Sequence, residues 1–112
     1  MSAQTAVIPW YLYIIKTASG SLYTGITVDV LRRFEEHSSQ STKTAKALRG
    51  KGPFSLAYCV QLTSHSDALK AELWIKKQSR ANKLKMIGDE QPLPFEHKRI
   101  TLPLPEHKDI TE

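Results

Sequence analysis

Two short runs rich in aromatic and β-branched residues, Trp10 to Lys16 (WYLYIIK) and Ser21 to Thr27 (SLYTGIT), are separated only by Thr17-Ala18-Ser19-Gly20. Such runs read as strands, and so short a polar connector ending in glycine turns them into an antiparallel hairpin. Side chains alternate across a strand, so Tyr11 and Tyr13 share one face while Leu12 and Ile14 take the other. In the second strand Tyr23 and Gly25 share a face opposite Leu22 and Ile26. The hairpin therefore has an aliphatic face to bury and a tyrosine-rich face, with a glycine in it that permits close approach.

Asp29 can cap a helix after the hairpin, and Val30, Leu31 and Phe34 give that helix an apolar stripe. Arg33 and His37 lie one turn apart and emerge on one side of it. Residues 38–44 read as a polar loop, residues 45–49 as a single helical turn, and Gly50-Lys51-Gly52-Pro53 as a break. A third strand is expected over Phe54 to Leu62. Ser66 or Asp67 then caps a helix running to Ser79, and a basic stretch from Lys76 to Lys85 ends near Gly88. Beyond Pro92, residues Pro94, Pro103 and Pro105 forbid regular helix. The chain is thus expected to comprise a domain over 1–89 and an extended or flexible tail over 90–112. The order β-β-α-(α)-β-α-α predicts an α/β chain of the α+β type, a three-stranded antiparallel sheet flanked by helices.

Charge narrows the function classes. The net charge is +5, but residues 1–89 carry thirteen bases against six acids, a net +7, whereas residues 90–112 carry three against five. A small body this basic suits a polyanionic partner, because phosphate binding releases counterions. The single cysteine, Cys59, excludes an internal disulfide framework and a cysteine-rich zinc site. No apolar run approaches the roughly 18 residues of a membrane helix. Met1 to Pro9 lacks the features of a secretory leader, so a cytoplasmic protein with no membrane partner is expected.

If the tyrosine face meets the Arg33 and His37 side of the first helix, phenols, a guanidinium and an imidazole gather around Gly25, where a nucleic-acid backbone could approach. Glu72 supplies the missing metal ligand, since a carboxylate in the apolar segment DALKAELWIKK is costly without a partner. One carboxylate completed by water and substrate oxygens suits Mg²⁺. Lys76, Arg80 and Lys83 follow Glu72 at helical spacing as a candidate phosphate track. Arg49 and Lys51, before the third strand, form a second candidate patch for nucleic acid.

These residues, in this order, resemble the GIY-YIG nuclease family, in particular its small single-domain bacterial members. Tyr11-Leu12-Tyr13 stands at the first triplet and Tyr23-Thr24-Gly25 at the second, with Arg33, His37 and Glu72 at the family's arginine, histidine and glutamate positions. Tyr11-Leu12 replaces Gly-Ile, and Thr24 replaces Ile. Asn82 follows Glu72 too closely to stand for the asparagine many members carry. The resemblance covers roughly residues 8–88 and implies a one-metal endonuclease acting on DNA of broad sequence, in repair, recombination or processing. Glu72 would hold Mg²⁺ or Mn²⁺, Arg33 would meet the charge building on the phosphate, and Tyr13 and Tyr23 would orient water, either one serving as base. His37 would relay a proton or bind phosphate, and a protein partner would supply specificity.

Each residue also has a plainer role. Tyr13 and Tyr23 could be ordinary cross-strand packing, Gly25 a bulge, and Glu72 a surface ion-pair partner of Lys76. The corresponding alternatives are a binding module that retains the fold without turnover, and a protein-interaction adaptor docking through its proline-bearing tail.

Overall fold

The computed structural model describes residues 8–40 and 43–104. The hairpin is β1 (Trp10–Lys16) and β2 (Leu22–Thr27), followed by α1 (Val30–Ser38) and a single 3-10 turn at Lys46–Leu48. Next come β3 (Ser55–Leu62), α2 (His65–Lys76), α3 (Arg80–Ile87) and β4 (His97–Arg99). The strands form one antiparallel sheet in the order β2-β1-β3-β4. The expectations for the 1–7 leader region, for residues 41 and 42 of the polar loop, and for Pro105 onward lie outside the described residues.

Alternation along β1 divides the protein into two cores. Leu12 and Ile14 face α2 and α3, packing with Val60, Ala68, Ala71, Ile75 and Met86. Tyr13 and Ile15 face α1, packing with Val30, Leu48 and Cys59, and Tyr11, Tyr23 and Phe34 border that second core. Thr24, on the α2 face of β2 beside Leu22 and Ile26, is only 4% exposed, and among the described residues its hydroxyl has no hydrogen-bond partner.

Two helix boundaries differ from the sequence reading. Ser64, not Ser66 or Asp67, caps α2, its hydroxyl accepting from the Asp67 N–H at 3.0 Å. Ser64 has the extended backbone a cap needs, and Asp67 then falls in the first turn, where an acid suits the helix dipole. The helix also stops at Lys76, because Ser79 caps α3 separately by accepting from Asn82 N–H at 3.1 Å.

The sheet has four strands rather than three. β4 pairs with β3 through Val60↔Arg99, Gln61↔Lys98 and Leu62↔His97. The chain leading to it is anchored by Leu93, 4% exposed in the first core, with Phe95 packed against that core. Full burial of a leucine contributes roughly 1.5–3 kcal/mol, so residues 90–104 are extended yet docked. Arg99 lies over the Tyr58 ring at 4.5 Å and is ion-paired with Asp89. After Arg99 the Ile100 N–H donates to the Cys59 carbonyl at 2.9 Å, and Ile100, Leu102 and Leu104 pack on the second core. The segment thus passes round the β4 edge from one core to the other. Among the described residues, no helix is long and apolar enough to cross a membrane.

Candidate active site

Register sets the site. Tyr13 pairs across the hairpin with Gly25, and Tyr23 with Ile15. The Tyr13 ring lies over Gly25, close enough that a β-carbon there would stand 2.4 Å from the phenol oxygen. Gly25 is therefore the seat of Tyr13, a role different from the nucleic-acid contact expected of it. The rings of Tyr13, Tyr23 and His37 form a triangle with centroids 6.4, 6.2 and 5.7 Å apart.

His37, on α1, is fully buried. The Ala45 N–H donates to its Nδ1 at 3.2 Å, so the proton of the neutral ring sits on Nε2. Nε2 lies 3.1 Å from the Tyr13 hydroxyl and donates to it. With both nitrogens engaged and no exposure, His37 does not reach a phosphate; it holds Tyr13. Burial, then the charge of Arg33, lowers its pKa, which favours the neutral ring this bonding pattern needs.

Arg33 is oriented by α1 itself. Its Nη1 donates to Glu36 Oε1 at 3.0 Å and to the Lys43 carbonyl at 2.8 Å. Burial works against its charge, but the Glu36 bond and the neighbouring Tyr13 outweigh that, and its pKa is raised. Glu36 was absent from the sequence reading, although its spacing three residues after Arg33 marks a helical pair. Burial first, and then Tyr23, push the Tyr13 pKa well above its ordinary value; the neighbouring Arg33 offsets part of the rise, and the charge of Glu72 adds to it. Tyr13 is thus a neutral phenol held by the His37 N–H, with the Arg33 charge nearby.

Glu72 comes from α2, which packs along β2 and β1. Its charge is a minor influence on the Tyr13 pKa, and among the described residues no hydrogen bond or ion pair joins it to Tyr13, Tyr23, His37 or Arg33. It pairs with Lys76, Oε2 to Nζ at 3.2 Å. Among the described residues no three or more His, Cys, Asp or Glu side chains gather as a metal group. A lone, partly exposed carboxylate fits a hard cation that keeps most of its water, and does not fit a caged zinc or calcium.

Among the described residues no hydrogen bond or ion pair joins Arg49, Lys51, Arg80 or Lys83 to the cluster. Arg80 Nη1 donates to the Gly20 carbonyl at 2.7 Å, tying α3 to the hairpin turn, and Ala18 N–H donates to the Lys51 carbonyl at 3.2 Å. Arg80 and the Lys51 loop therefore flank the turn of the hairpin, at the Tyr23 end of β2. Arg49 is exposed with its Nε toward the Thr44 carbonyl at 3.4 Å, and Lys83 is half-buried on α3.

A family model described as the GIY-YIG catalytic domain matches residues 9–85. A UPF0213 protein of Citrobacter koseri is 51% identical over 81 residues, covering 72% of this chain and 79% of that protein. The UPF0213 protein YhbQ of Salmonella arizonae is 47% identical over 83 residues, 74% of this chain and 81% of its own. The solution NMR structure of the UPF0213 protein BH0048 from Bacillus halodurans is 38% identical and covers 73% of this chain and 85% of that one, with a TM-score of 0.48. The matched domain ends before α3 does, and the docked segment with β4 follows it.

Proposed function

The chain belongs to the GIY-YIG catalytic-domain family, and on that premise we propose that it is a divalent-metal-dependent endonuclease hydrolysing DNA phosphodiester bonds with low sequence specificity. The observation that carries this reading is the gathering of Tyr23 from β2 and of His37 and Arg33 from α1 around the Tyr13 phenol, with Glu72 on α2 near enough for its charge to be felt there. Cross-strand packing alone explains the tyrosines, but not a guanidinium held charged beside them.

Glu72 would hold Mg²⁺ or Mn²⁺, which when bound supplies Lewis acidity at the phosphate and the leaving oxygen. Arg33, kept charged and aimed by Glu36, meets the negative charge that grows on the phosphate in the transition state. Tyr13 and Tyr23 line the approach of the attacking water. A neutral, His37-held Tyr13 orients that water and passes protons; removing a proton outright requires a phenolate, which Arg33 and the His37 N–H both favour. Arg49, Lys51, Arg80 and Lys83 contribute sequence-independent backbone contacts, with the hairpin turn as one landing place. A DNA substrate goes with a cytoplasmic, nucleoid-associated location and a role in repair, recombination or processing; the lack of a recognition module among the described residues is the ground for adding a protein partner that selects the target.

The test is to incubate linear, nicked, branched and single-stranded DNA with the protein in Mg²⁺ or Mn²⁺, alongside Glu72→Ala and Arg33→Ala. Cleavage by the wild type that both variants lose is the expected result. Equal trace cleavage by wild type and Glu72→Ala rejects the proposal, and salt-sensitive binding without cleavage leaves a binding module in its place.

A further inference from the structure

The Glu72 carboxylate already has a cation. Lys76 stands one helical turn further along α2 with its ammonium 3.2 Å from Glu72 Oε2, and the two partners are held unequally. The Glu72 side chain is 21% exposed and that of Lys76 is 52% exposed. The carboxylate is the fixed member, and the ammonium is the free end of a flexible four-carbon stem. Among the described residues Glu72 belongs to no group of three or more metal-ligating side chains, so its own two oxygens are the principal protein ligands it brings to a divalent ion. An ammonium on one of them competes directly for the same charge.

We propose that Lys76 is a built-in counter-cation that occupies Glu72 until a phosphodiester arrives, so that capture of a divalent ion by Glu72 depends on substrate. This rests on Glu72 being the ion's ligand, as proposed above. Without substrate the Glu72 carboxylate is already paired with the Lys76 ammonium, as Glu36 is with Arg33, and a further divalent charge at Glu72 is disfavoured while Lys76 stays there. A phosphodiester changes that balance twice. It gives the Lys76 ammonium another anion to turn toward, and it adds negative charge beside Arg33. An exposed helical pair is weak enough to be exchanged in this way. Lys76, expected from sequence to touch the backbone, would then make that contact by leaving Glu72.

The test needs no turnover. Mn²⁺ is titrated into the full chain at low ionic strength without DNA, and free Mn²⁺ is read from its electron paramagnetic resonance signal, for wild type, Lys76→Met, Glu72→Gln and the double variant. Lys76→Met should bind about three- to tenfold more tightly than wild type, and the double variant should lose that gain. Dimethyl phosphate, a diester that resists hydrolysis, should raise wild-type affinity toward that of Lys76→Met. Unchanged or weaker binding by Lys76→Met, or a gap that dimethyl phosphate does not narrow, overturns the proposal while leaving Glu72 as ligand. Binding by Glu72→Gln equal to wild type overturns both.

Discussion

A β-carbon on Gly25 would stand 2.4 Å from the Tyr13 phenol oxygen and 2.6 Å from its Cζ. The ring cannot yield freely, because Tyr13 is 2% exposed and hydrogen-bonded to His37. Gly25→Ala should therefore cost about 1–3 kcal/mol in urea unfolding. Displacing a reacting group by about 1 Å can cost ~100-fold in rate, so DNA cleavage should fall by that order even at temperatures where the variant is fully folded.

His37 makes stability depend on pH. Its pKa is lowered in the folded protein, so the unfolded chain takes up the proton first as pH falls. The stabilisation is complete above the ordinary histidine value of roughly 6.5 and is lost as pH drops through the lower folded value. Melting temperature should hold between pH 8 and 7 and decline below about 6.5. The slope of that decline should flatten in His37→Gln, which keeps polar groups at the site and cannot titrate. A slope identical to wild type would show that the imidazole is not its source.

The heart of the site was legible because it obeys two simple periods. Alternation of two along the strands puts Tyr13, Tyr23 and Gly25 on one face, and the helical turn puts Arg33 beside His37. The Glu72 and Lys76 spacing also announced an ion pair. What alternation cannot convey is the direction of a hydrogen bond, so the inward turn of His37 toward Tyr13 and the Ala45 amide was hidden. β4 escaped for a different reason. Three residues, His97 to Arg99, between proline-bearing stretches carry no pattern, and their pairing depends on Leu93 filling the distant first core. The α2 start was ambiguous because Ser64, Ser66 and Asp67 can all cap, and only backbone conformation chooses.

Thr24 offers a stabilising substitution. Its hydroxyl is buried on the α2 face with no partner among the described residues, at the place where the GIY-YIG triplet has isoleucine. Thr24→Val keeps the shape and removes the desolvated group, and should raise stability by about 1–3 kcal/mol. Thermal unfolding measures this directly; a fall in melting temperature would mean that the hydroxyl is satisfied in solution.

Two leucines should separate docked chain from free surface. Leu93→Ala opens a hole in the first core, where Leu93 is 4% exposed, and should cost about 2–5 kcal/mol. Leu73→Ala, at a side chain 59% exposed on α2, should stay within about 0.5 kcal/mol of wild type. Equal effects in urea titrations would contradict the docking of residues 90–104.

The same docking turns Cys59 into a gauge of motion. Its thiol is buried, and burial pushes its pKa up to about 12, so it is inert to thiol reagents while Ile100 stays bonded and packed above it. Labelling can proceed only when the C-terminal clasp lifts or the whole protein opens. Comparing the labelling rate with the global unfolding rate would count the lifting events alone, and a native sulfur would time the peeling of one sheet edge without any probe being introduced.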